Sequence, residues 1–144
     1  FKNGDKVLSN IESLYEKLQN IIKIDSRYSL FAYQFVFEAL SFTAKSLGKD
    51  SNSPREEDRH IAGQQLLDGI RKYAIEQYGY MAHTVFDFWG VKKDSDFGEI
   101  VFNLVENGLM GKTDSDSRED FKDAYDFKVA FDDEFKFVNK FDIL

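Results

Sequence analysis

The chain has no cysteine among its 144 residues. That excludes disulfides, thiolate metal sites and cysteine nucleophiles, and it fits a reducing compartment. Proline is nearly absent too: Pro54 stands alone, which favours long uninterrupted helices over an all-β fold with many turns. The two histidines, His60 and His83, form no pair with zinc-ligand spacing, so each reads as a structural or surface residue and no metal or other cofactor is expected. No apolar run approaches the roughly 18 residues of a membrane span. No charged, apolar and small-residue leader opens the chain. The expectation is therefore a cytoplasmic protein with no membrane partner. Positive charge is also in deficit: 19 basic against 26 acidic side chains leave a net charge of -7. A nucleic-acid binder would need a local basic patch against that field. Finally, no G-x-S-x-G, Walker-type or G-x-G-x-x-G motif is present, so no nucleophile elbow or phosphate loop is on offer.

What the chain has in excess is aromatic rings, 15 Phe and 7 Tyr, so the core should be aromatic-rich and some rings should reach the surface. In order, Val7, Ile11, Leu14, Leu18 and Ile21 repeat at helical period to about Ile24. The stripe is too short for a coiled coil and is expected to pack within the domain. Asp25-Ser26-Arg27-Tyr28 breaks it, and Ser26 is placed to cap a second helix running to Leu47 and stopping at Gly48. That helix is apolar nearly all round, so it should be central. Residues 49–58 form a polar loop in which Ser53-Pro54-Arg55-Glu56 has capping-box form. A third helix spans Gly63 to Tyr78. Its interior Gly69 costs roughly 1 kcal/mol relative to alanine, which a close helix crossing would explain. A short fourth helix from Tyr80 to Trp89 shows Met81, Val85 and Trp89 on one face.

Trp89-Gly90 then ends one helix. Lys92-Lys93-Asp94-Ser95 makes a polar turn, and a new helix with Phe97, Ile100, Val101, Leu104 and Val105 as its buried face runs to Gly108. Asp94, Ser95 or Asp96 is its cap, with Asp96 and Glu99 spaced for a capping box. This is the outline of a helix-turn-helix. Beyond it, Leu109-Met110-Gly111-Lys112 could pair as a strand, and Phe121, Tyr125, Phe127, Val129 and Phe131 fall largely at alternate positions. After the break at Asp132-Asp133-Glu134, Phe135 and Phe137 alternate again. A hairpin here would be the wing of a winged helix. A helix over Arg118 to Tyr125 competes for the same residues.

The would-be recognition helix carries no Lys or Arg, only Asn103 and Asn107 to read bases, against Asp96, Glu99 and Glu106. The basic residues that could serve nucleic acid lie elsewhere: Arg59, His60, Arg71, Lys72, Lys92 and Lys93. Asp114-Ser115-Asp116-Ser117-Arg118-Glu119-Asp120 alternates acids like a calcium loop. It lacks the sixth-position glycine and puts Arg118 at a ligand position, so a solvated loop is expected.

Several blocks resemble an uncharacterised bacterial family of small conserved-hypothetical proteins. They are Asp25-Ser26-Arg27-Tyr28 with Ala32-Tyr33-Gln34-Phe35-Val36; Arg59-His60 with Gly63-Gln64 and Leu66-Leu67-Asp68-Gly69-Ile70-Arg71; Trp89-Gly90; Asp96 through Glu106; and Ser117 through Phe121 with Tyr125-Asp126-Phe127. The resemblance implies a cytoplasmic bacterial context and carries no activity.

The expectation is one mainly α domain over 1–144, with five to six helices and a small C-terminal β-hairpin in winged-helix style. It divides into an N-terminal helical pair (7–48), a helix-turn-helix with wing (60–131) and a C-terminal extension (132–144). The function expected first is a non-enzymatic interaction module, an adaptor or regulator docking on a protein or ribonucleoprotein partner. A winged-helix nucleic-acid-binding regulator comes second, with DNA disfavoured by the acidic helix. A small enzyme with an acid-base site near His60 comes third. No catalytic constellation is legible, and neither is an oligomeric state.

Overall fold

The computed structural model describes residues 1–3, 11–50 and 52–133. Among these the chain forms five α-helices and a two-stranded antiparallel sheet. The helices are α1 (Ile11–Ile24), α2 (Leu30–Ser46), α3 (Gly63–Tyr78), α4 (Ala82–Trp89) and α5 (Asp94–Glu106). The strands are β1 (Lys2–Asn3) and β2 (Met110–Gly111), with Lys2 opposite Gly111 and Asn3 opposite Met110. No helix among the described residues is long and apolar enough to cross a membrane.

The nearly all-apolar α2 is the centre of the molecule. It buries Ala32, Tyr33, Phe35, Val36, Ala39, Leu40 and Thr43 against its neighbours. Ser29, not Ser26, caps it: the Ser29 hydroxyl accepts from the Phe31 amide at 3.1 Å. Ser29 is also held by the α4 end, its amide donating to the Trp89 carbonyl at 3.0 Å. The crossing of α2 and α3 is close at Gly69, where an added Cβ would lie 1.7 Å from Thr43 Oγ1. That crossing accounts for the glycine inside a helix. Leu18 and Ile21 of α1 are buried in the same core and Leu14 packs against it, while Ile24 is exposed and Val7 lies outside the described residues.

The polar loop forms its short helical turn at Glu56–Asp58, two residues later than the Ser53 cap would place it. At α5 none of Asp94, Ser95 and Asp96 is the N-cap. Lys93 holds that position with no side-chain cap bond, and Asp96, inside the first turn, reaches back so that its Oδ2 accepts from the amides of Lys92 (2.8 Å) and Lys93 (3.2 Å). Asp94 does something else. It is 6% exposed, and its Oδ2 accepts from the amides of Ala124 (2.6 Å) and Tyr125 (3.2 Å), tying the following segment onto α5.

The expected wing is not formed among the described residues. β2 does form near Leu109, but its partner is β1 from the other end of the sequence. The aromatic stretch after it makes a 3₁₀ turn at Arg118–Phe121, within the span of the competing helical reading, and a π-helical turn at Lys128–Asp133. The alternation was misleading. The buried residues are Phe127, Ala130 and Phe131, spaced at i, i+3 and i+4, whereas Val129 is 48% exposed. Phe121 wedges between helices, within contact of a Cβ placed at Gly63 or Gly98. Phe135 and Phe137 lie outside the described residues, as does most of the 132–144 extension.

Candidate functional site

The structure separates the six candidate residues. His60 lies in the loop before α3, and its Nε2 is 2.9 and 3.0 Å from the two oxygens of Asp116. Asp116 is 6% exposed, so this part of the acidic loop is built into the fold instead of being solvated. Its Oδ2 also accepts from the Thr113 amide at 2.9 Å and lies 3.2 Å from the Phe1 nitrogen. Burial alone would raise its pKa. The Thr113 amide and His60 outweigh burial and hold the carboxyl below its ordinary value. His60 opens on a recess of about 510 Å³ lined by Arg55, Glu56, Glu57, Thr113 and Ser115. The Thr113 and Ser115 hydroxyls bond each other at 2.9 Å and make no hydrogen bond to the imidazole.

Arg71 and Lys72 sit on α3, and both reach Asp68 of the same helix, at 3.0 and 2.9 Å. Lys92 pairs with Asp87 at 3.1 Å. With Lys93 it borders a second recess of about 580 Å³, which also takes in His83, Asp94, Asp123 and Lys128. There His83 Nδ1 is 3.0 Å from Asp132 Oδ2. His60 and the lysine pair therefore face different recesses. Three of the basic side chains are paired with acids nearby in sequence, Arg71 and Lys72 sharing Asp68, and Arg59 is half-buried beside the Glu56–Asp58 turn. No group of three or more His, Asp or Glu residues among the described residues is arranged to hold a metal ion.

Helix α4, a short turn and α5 follow one another in the expected order, but α5 is enclosed. On one side Phe121 packs over Gly98. On another the α1–α2 loop covers it. Asn103, the best placed base reader, donates its amide to Asp25 (3.1 Å) and to the Tyr33 hydroxyl (3.0 Å). Arg27 bridges Asp25 and Glu99, and Arg118 bridges Glu99 and Glu106. The Arg27 guanidinium holds the Asp25 carboxyl far below its usual range. Burial, reinforced by a 2.6 Å hydrogen bond to Asp96, pushes the Tyr28 hydroxyl well up. These side chains face one another and fix the loop to α5.

Large apolar side chains also stand at the surface among the described residues, Ile24 at 89% exposed, Phe88 at 84%, Tyr80 at 70%, Phe31 at 60% and Met81 at 44% among them. Of the Met81, Val85 and Trp89 face read from sequence, Met81 is exposed, while Trp89 packs against the core on Phe35, Tyr78 and Phe86. Ala82 and Phe86 are the buried residues of α4. Two of the exposed rings flank one helix junction: the Ser29 amide bonds the Trp89 carbonyl, with Phe31 two residues after Ser29 and Phe88 just before Trp89, whereas Tyr80 and Met81 stand at the opposite end of α4. Sequence periodicity could not separate these rings from core rings, because both are aromatic and both fall at helical spacing.

Compared with protein-family models, with curated proteins and with solved structures, the chain finds no match.

Proposed function

We propose that this protein is a non-enzymatic interaction module whose docking surface is the aromatic face at the ends of α2 and α4. The observation that carries the reading is Phe88. A large ring 84% exposed on a short helix, beside the junction where the Ser29 amide bonds the Trp89 carbonyl and Phe31 stands exposed, is the kind of apolar surface that marks a binding site. The remaining chemistry supports the same choice. The His60–Asp116 pair has no hydroxyl bonded to it among the described residues and serves as a tie between the α3 loop and the 113–116 turn. The winged-helix reading would have to use an acidic α5 whose amide reader is already satisfied, so a protein surface is favoured over DNA. The resemblance to a small bacterial family brings no activity, and the proposal rests on the surface.

The test is site-specific photo-crosslinking in the native host, with p-benzoylphenylalanine at position 88 and, as a control, at position 57 beside the His60 recess. A discrete protein adduct at 88 and none at 57 is expected. Absence of any adduct at 88 would overturn the proposal.

A further inference from the structure

The docking face carries a charge pattern that defines what it binds. Phe35, 2% exposed, is the hub beneath it, its ring centroid 5.4 Å from Tyr73, 6.0 Å from Tyr78 and 5.6 Å from Trp89. Tyr78 and Trp89 meet edge to face at 82° with centroids 5.8 Å apart. These three outer rings are half-buried, and Phe31, one helical turn before Phe35, stands exposed. The side chains of Glu38 on α2 and Glu76 on α3 are exposed among them. The Tyr73 hydroxyl donates to Glu38 Oε2 at 3.1 Å. Burial first, then Glu38 and Glu76, raise the pKa of Tyr73, and burial with Glu38 raises that of Tyr78. The charged groups acting most strongly on both phenols are thus carboxylates.

Aromatic faces attract cations through the ring quadrupole, and a nearby carboxylate adds Coulomb attraction of the same sign. An anionic partner meets repulsion from the same groups, which sets nucleic acid and acidic peptides aside. A purely apolar partner would leave Glu38 and Glu76 facing hydrocarbon, which costs desolvation. One occupant satisfies every feature. We propose that this face binds a basic segment of a protein partner, with an arginine or lysine head over Tyr78 and Trp89, balanced by Glu38 and Glu76, and with apolar neighbours on Phe31 and Phe88. This inference rests on the docking role proposed above and adds the partner's chemistry to it. Arginine is the better fit, because its planar guanidinium stacks on rings and bonds carboxylates together.

The chain has a single tryptophan, so Trp89 emission reports on the site without labelling. The probes are a tryptophan-free peptide alternating arginine with leucine, its glutamate-for-arginine counterpart, and vesicles of phosphatidylcholine. The arginine peptide should change Trp89 emission saturably, weakening as salt screens the charges. The double variant Glu38→Gln/Glu76→Gln should bind it roughly tenfold more weakly, at up to about fivefold per carboxylate. Both substitutions lie on the surface, and the amide oxygen that replaces the Glu38 carboxylate can still accept the Tyr73 hydroxyl, so the fold should be kept. No saturable change, an equal response to the glutamate peptide, undiminished binding by the double variant, or a response to vesicles alone would each overturn the inference. If position 88 still crosslinks a protein while the arginine peptide fails, the docking role stands and only the cationic specificity is lost.

Discussion

At the scale of single residues, glycine positions report how tightly this core is built. Gly69 is the clearest case. Its missing Cβ leaves room for Thr43, whose Oγ1 donates to the Ala39 carbonyl at 2.7 Å within α2. Gly69→Ala would gain up to about 1 kcal/mol of helix propensity, yet it places a methyl 1.7 Å from that hydroxyl. The clash should win, with a net loss of about 1–3 kcal/mol, or roughly 4–8 °C in Tm for about 2 kcal/mol in a chain of this size. Thr43→Ala should relieve part of it. Rescue would be incomplete, because Thr43 Cβ itself lies 2.9 Å from the added atom. Thermal unfolding of the single and double variants checks both points, and a stabilised Gly69→Ala protein would show the crossing to be looser than described. The glycine's meaning was readable from sequence, since a costly residue in a helix calls for a close neighbour. Its partner was not, because nothing local distinguishes Thr43 from any other helical threonine. Asp116 shows the opposite limit. In an acidic, serine-rich stretch it looks solvated, and only the fold brings His60, 56 positions away, to its carboxylate.

At the scale of elements, helices with a plain 3.6-residue period were legible, and α1, α2, α3 and α5 lie close to where their apolar residues and stops put them. Failure came where two periods overlapped. Between Phe121 and Phe131 the odd-numbered aromatic and β-branched residues imitate a strand, but the described chain turns helically so that Phe127 and Phe131 can both reach Phe86 of α4, at 5.8 and 5.2 Å. Five residues of strand would have sent Val129 to the same side as both rings. Substitution separates the two arrangements. Val129→Asp, at a half-exposed position, should change stability by no more than about 0.5 kcal/mol. Phe131→Ala should cost about 3–5 kcal/mol, because its ring is fully buried. Chemical denaturation gives both numbers, and a Val129→Asp loss as large as that of Phe131→Ala would restore the strand.

At the scale of the whole molecule, the informative contacts are the ones no local pattern encodes. β1 pairs with β2 across more than a hundred residues of sequence, and Phe1 buries its ring against Phe102 and Phe121, with centroids 5.9 and 5.4 Å apart. The Asp25–Arg27 loop locks onto α5 through Glu99 and Asn103. A helical hairpin with an independent wing would lack these ties and could open in parts. Here one continuous set of buried side chains runs from α1 to the Lys128–Asp133 turn, so partial opening would expose apolar surface on both sides of any division. The expected outcome is a single cooperative transition. Trp89 provides a local probe at the junction of α2, α3 and α4, packed on Phe35, Tyr78 and Phe86, while far-UV circular dichroism averages over all five helices. Their urea midpoints should coincide, and both curves should yield one slope. A Trp89 transition well ahead of the helical signal would mean that the α4 face unfolds as its own unit. In that case the aromatic surface would be ordered by its partner, not presented ready-made.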